Sequence, residues 1–445
     1  MIMKTKFFEN DTRIYLNNVF NIGFFRVLTI ITNFLLVGLI FRYLNSEELN
    51  GVWLTVFSIV TWLAVFDFGI GNGLRNKLTE AVTLRNIPLA NSLIVTSYII
   101  LSIPTILINV AVVIFAHEIN WVRLLNLNNH SLSNEYLTVF MIILTIFYSF
   151  NFYLSLIHPV FHSVSKSYVI NFVQFITNLI NVVVILLLLL FKVQPSLITL
   201  CLLYLGSSIL VLSIVSINFF RFSNSTYRFK IKYYNRGLVR EILKIGGNFF
   251  ILQLAIIVLF NTDNFLISFY LGVKDVSSYQ LVNKLLSIYT TLMSILLIPI
   301  WTVIIKYNIN KEYTKLRKVI KLLMFAFIII SVFVWITAIN SKFLIAIWVG
   351  EELDKIDFNL IMFMAIFTVV HIWCNIFQYI LNGLNYLRIQ MYCYGVAMII
   401  NIPISIILVL NTDLKVSGII LGTIISLSIP SVILPFYLSR KLRKY

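Results

Sequence analysis

The segment FDFGIGNGLRNKLTEA, Phe66 to Ala81, gathers acids, bases and three alternating glycines. An Asp-Phe-Gly triplet is how protein kinases hold magnesium, and closely spaced glycines let a backbone approach phosphate. Both chemistries need partners elsewhere in the chain. The first requires a His-Arg-Asp catalytic loop and the second a Gly-Lys-Ser/Thr turn, and the sequence contains neither. Metal chemistry fares no better. His158 and His162 stand four residues apart, on one face of a helix, without a third ligand nearby, and read as a loop or helix-end pair. Cys201, Cys374 and Cys393 lie far apart in apolar runs, so they read as packing residues. No cofactor or metal is expected.

Composition explains why these motifs fail. Of 445 residues, 60% are hydrophobic and only 11% charged. A soluble domain carries about 25% charge. The chain is therefore expected to be an all-α integral membrane protein with lipid as its main solvent. Spans of about 20 apolar residues are expected near 17–42, 51–72, 89–116, 136–157, 168–191, 196–219, 246–271, 279–305, 319–341, 358–382, 387–410 and 418–438. The first apolar run is long, follows a polar start and lacks a small-residue cleavage site, so no cleavable signal peptide is expected.

Charge tests this partition. With the N-terminus placed inside, 25 of the 34 Lys and Arg fall in inside segments and seven in outside segments, with Arg26 and Lys284 within helices. That bias is the positive-inside pattern, and it puts both termini in the cytoplasm. The net charge of +17 then reports topology and contact with membrane lipids rather than nucleic acid. The loops are too short for an extramembrane catalytic domain, so no enzyme activity is expected.

The longest internal loop is basic and lies mid-chain. On either side of it, LNSEELNGVW (44–53) and LGVKDVSSYQ (271–280) each end an apolar run, cross a short acidic hairpin and enter the next helix. An N-terminal six-helix lobe is expected over 1–220, a cytoplasmic basic linker over 221–245, and a C-terminal six-helix lobe over 246–445. Parallel repeats of this kind place a substrate path in a central cavity between the two bundles.

Ionisable residues within spans are costly and mark functional positions or structural partners. Arg26 lies near the middle of the first span, as an anion-binding residue or as the partner of a carboxylate or of helix carbonyls. Asp263 and Lys284 sit on neighbouring helices. They either pair with each other, or Asp263 takes a cation or proton while Lys284 holds an anion. Asn261, Asn264 and Asn283 add polar groups there. Asp67 lies at the inner end of the second span. The glycines after it favour close packing or unwinding at a helix end. Arg75 and Lys77 are expected at the head-group level.

The stretch from Asn17 through Ala81 resembles the N-terminal helix pair of Wzx-type polysaccharide flippases, in the multidrug/oligosaccharidyl-lipid/polysaccharide exporter superfamily. Its most specific parts are the hairpin followed by Gly51 and Trp53, and then DFGIGNGLRNKLTE. NTDNFLISFYLG resembles the seventh helix of the same superfamily. The resemblance implies transport of an undecaprenyl-pyrophosphate-linked oligosaccharide, an O-antigen or capsule repeat unit. Transport would run from the cytoplasmic to the outer face of a bacterial inner membrane, with polysaccharide assembly proteins as partners. It makes Arg26 and Lys284 candidate substrate-binding residues, Asp263 a candidate cation site or ion-pair member, and Asp67, Asn72, Arg75 and Lys77 a candidate cytoplasmic gate. A topology anchor remains the rival reading of that segment. The alternatives are a cation-coupled multidrug exporter of the same superfamily and a membrane-embedded polysaccharide polymerase.

Overall fold

The computed structural model describes residues 2–61, 67–124, 132–222, 226–271, 273–349 and 357–443, with side chains left undescribed at 2–16, 47–48, 54, 58–61, 261, 268, 273–274, 277 and 346–349. The fold is all-α, with no strand among the described residues. In the N-terminal half the helices are α1 Ile2–Leu44, α2 Glu47–Thr61, α3 Ile70–Thr83, α4 Ile87–Phe115, α5 Trp121–Leu124, α6 Asn134–Leu154, α7 Ile157–Ser163, α8 Tyr168–Leu190 and α9 Leu197–Ile217. Further on come α10 Arg236–Tyr270, α11 Val273–Ile309, α12 Tyr313–Ile339, α13 Ser341–Val349, α14 Phe358–Gly383, α15 Leu387–Asn411 and α16 Val416–Leu442.

Eleven helices among the described residues are long and apolar enough to cross a membrane. They match eleven of the expected spans in order. The twelfth, expected over 51–72, begins in α2, crosses 62–66, which lie outside the described residues, and ends beyond the Phe68–Gly69 turn in the first residues of α3. Local sequence sets several starts. Ser133 and Ser196 accept from the amides of Tyr136 and Thr199 at 3.1 and 3.3 Å, capping α6 and α9. Asn86 caps α4 just ahead of Pro88, whose missing N–H costs nothing in a first turn.

The chain divides into two compact units, Met1–Gly246 and Gly247–Tyr445. The division falls inside α10, between two consecutive glycines. The residues expected as linker over 221–245 are only partly irregular: 236–245 are already helix. Apolar pattern located the span, but helical hydrogen bonding continues into polar sequence that lipid does not require.

In the first unit, α1 runs beside α8, and α3 packs on α4 and α7. Two apolar cores lie among the described residues of the unit. One joins α1, α2, α6, α8 and α9 around Trp53, which lies 4.2 Å from Phe57 between ring centroids. The other joins α3, α4, α7 and the start of α10 around Leu74, Leu78 and Ile242. The second unit packs α14 against α11 and α16, and α15 against α16. Gly422 makes the last contact close, since a Cβ there would lie 2.8 Å from the Ser405 backbone.

Candidate functional site

The α3 segment comes first, because its motif looked most like chemistry. Phe68 and Gly69 both adopt the left-handed region, with φ of 50° and 69°. That turn swings Asp67 back over the start of α3. Its carboxylate accepts from the amides of Gly69 at 2.7 Å and Gly71 at 3.2 Å. Asp67 is thus bound to the helix N-terminus that follows it, where both open amides and dipole favour an anion. The glycines permit close approach. A Cβ on Gly73 would meet the Gly246 amide nitrogen at 3.3 Å, and one on Gly246 would meet the Phe68 carbonyl at 2.9 Å.

The bases of this segment take different directions. Arg75 is only 4% exposed, and its carbonyl accepts from the Ser163 hydroxyl at 3.1 Å. α3 turns that face toward α7. Asn72 is half-buried on the same helix. Lys77 bridges Glu241 at 2.6 Å and Glu80 at 3.3 Å. Burial alone would lower the Lys77 ammonium, but the two carboxylates outweigh it and hold it above its ordinary value.

Asp263, in α10, is 2% exposed. Its carboxylate accepts from Thr423 of α16 at 3.1 Å and more weakly from Tyr279 of α11 at 3.5 Å. The Thr423 hydroxyl accepts in turn from the Asn401 amide of α15 at 3.0 Å. Three helices therefore meet on one carboxylate, and α15 joins them through Thr423. Asn264 accepts from Gln280 at 2.6 Å. The side chain of Asn261 lies outside the described residues. Lys284 does not join this group. It is exposed, and no described ion pair links it to Asp263. The five-residue step from Tyr279 explains why, since it rotates Lys284 about 140° around α11.

Arg26 is exposed on α1, at the edge of the stripe that Ile22, Thr29 and Leu36 bury. About two turns further along α1, a polar seam runs between α1 and α8. Gln174 donates to Asn178 at 3.2 Å, and Asn178 donates to Asn33 at 3.0 Å. Asn181, one turn further along, accepts from Ser207 at 2.7 Å. Expectations centred on ionisable residues passed over this seam. The signal is in the sequence NFVQFITNLIN: Asn171, Gln174, Asn178 and Asn181 recur at helical spacing in an otherwise apolar span. The three cysteines are all buried and free, and no group of metal-ligating residues occurs among the described residues.

Comparison with known proteins places this architecture. The MatE family profile matches residues 249–407. A Salmonella typhimurium protein named "Putative O-antigen transporter" is 24% identical over 42% of this chain, and the match spans only 44% of that relative's length. A Salmonella typhi protein of the same name is 21% identical over 77% of this chain and 78% of its own. Among solved structures, a MOP superfamily transporter from Pyrococcus furiosus superposes with a TM-score of 0.77 at 12% identity, over 97% of this chain and 95% of that one. A Vibrio cholerae MATE transporter in its bent form gives 0.77 at 11% identity, over 97% and 98%. The MatE family model thus matches part of the C-terminal half, and over its whole length the chain shares the fold of the solved MATE transporters.

Proposed function

We propose that the protein is a flippase for an undecaprenyl-pyrophosphate-linked oligosaccharide, an O-antigen or capsule repeat unit. It carries the head group from the cytoplasmic to the outer face of a bacterial inner membrane by alternating access. The observation that carries this reading is the state of two cations: Arg26 and Lys284 both stand exposed within membrane-spanning helices, and no described ion pair neutralises either. A lone cation facing hydrocarbon costs about 2.5–3.5 kcal/mol on insertion scales. A pathway that admits a diphosphate removes that cost and uses the charge. The names of the Salmonella relatives support the same substrate class. The bias of basic residues supports cytoplasmic termini. Polysaccharide assembly proteins are the expected partners.

Deleting the gene and locating the lipid-linked glycan tests the reading. The glycan should accumulate on the cytoplasmic leaflet, and normal arrival at the outer leaflet in a strain with no second flippase overturns it. The second reading is a cation-coupled multidrug exporter, favoured by the shared fold with solved MATE transporters and by the buried carboxylate of Asp263. It predicts export of organic cations by the same protein and no effect on glycan position.

A further inference from the structure

The seam between α1 and α8 ends in a pattern that a diphosphate alone does not need. Asn178, buried in the middle of α8, accepts from Gln174 through its oxygen and donates to Asn33 through its nitrogen. A carboxamide has an acceptor end and a two-proton donor end. Each outer amide in this relay spends one end on Asn178. Gln174 keeps its carbonyl oxygen free, and Asn33 keeps its NH2. Both residues are exposed, and neither free end has a partner among the described residues. Reversing every amide exchanges the two ends but still leaves one acceptor and one donor.

Such ends cannot face hydrocarbon without losing their hydrogen bonds to water. They suit a group that donates and accepts at once, which is a hydroxyl. The same helix pair carries aromatic rings about two turns nearer the N-terminal ends of α1 and α8. Phe172, two residues before Gln174, lies 5.2 Å from Phe25 between ring centroids and is 39% exposed. Phe24 packs edge-on to Phe25 at 5.3 Å and is 52% exposed. Amide ends that donate and accept at once match the hydroxyl rim of a pyranose.

We infer that Asn33, Asn178 and Gln174 form a sugar-binding strip that reads the glycan of the transported lipid, about two turns along α1 from Arg26 and separate from it in role. Arg26 is matched to the charge common to every lipid diphosphate. The amide relay is matched to hydroxyls, which differ between glycans. The inference rests on the flippase reading and extends it from the carrier to the sugar.

The test uses full-length protein in vesicles and two probes. One is the lipid-linked glycan extracted from the cells that make the protein. The other is the same lipid trimmed to its first sugar. Wild type should move both. Asn33→Ala and Gln174→Ala, at exposed positions that do not fill the core, should slow the full glycan lipid about tenfold and leave the one-sugar lipid unchanged. Continued movement of the one-sugar lipid shows that each variant is folded. Equal slowing of both lipids, or of neither, overturns the sugar strip while the flippase reading stands. Failure of wild type to move either lipid overturns the flippase reading itself, and the sugar strip with it.

Discussion

Arg26 and Asp263 make opposite demands on their surroundings. The guanidinium is exposed on α1, whereas the carboxylate is enclosed by Thr423 and Tyr279. Arg26→Ala should abolish most surface glycan at equal protein level, and Arg26→Lys should keep part of it, because a point charge replaces a bidentate one. Quantifying glycan against membrane-localised protein checks this. Thr423→Val removes the hydroxyl shared by Asp263 and Asn401, leaving buried polar groups unsatisfied. The loss should be about 1–3 kcal/mol, read as earlier melting in detergent, with Thr423→Ser close to wild type. The sequence made both ionisable residues legible, because any charge in an apolar run stands out. It left their partners illegible. Thr423 lies 160 residues from Asp263, and nothing local marks it. Asn33 and Asn178 are likewise neutral residues that become a relay only once α1 and α8 lie side by side.

At the level of single helices, α3 shows how a motif that looks catalytic can be architectural. Its aspartate caps, its left-handed Phe68–Gly69 turn aims the cap, and its glycines let α10 approach. Gly246→Ala drives a methyl group to 2.9 Å from the Phe68 carbonyl, a contact that backbone cannot easily relieve. It should lower the yield of folded protein, measured by size-exclusion profile, whereas Gly247→Ala meets open space and should not. The Lys77 bridge is a smaller matter. Its ammonium is partly exposed and Glu241 is 44% exposed, so Lys77→Ala should cost no more than about 0.5 kcal/mol after solvent screening. Because the folded lysine is held above its ordinary value of 10.5, that stabilisation is complete below this pH and fades only as pH climbs through the raised value. Melting of wild type and variant should therefore differ by a constant amount between about pH 7 and 9, given the ordinary lysine value. The helices themselves were largely legible, since hydropathy and length follow from the bilayer. Their ends were not. α10 begins at Arg236 rather than near 246, because its first turns are held by packing on α3 and not by lipid.

Over the whole molecule, two units of helices carry two different polar centres. One unit holds Arg26 and the amide seam, and the other holds the Asp263 network. The mid-chain basic loop and the paired hairpins led to the expectation of two lobes, and the chain divides into two compact units. The position of the division within α10 was not readable, since sequence distinguishes a span from a loop but not which core a helix turn joins. That position has a consequence for any attempt to take the protein apart. Residues 236–246 follow the mid-chain loop, yet they belong to the N-terminal core through Ile242, Gly246 and the Glu241 bridge. A chain cut in the loop before Arg236 would yield a C-terminal fragment that begins with a segment packed, in the intact chain, in the N-terminal core. Two such fragments, made as separate polypeptides, should copurify from detergent, and Gly246→Ala in the second should release them. The first three turns of this helix thus belong to the packing of the N-terminal unit, although they follow the mid-chain loop.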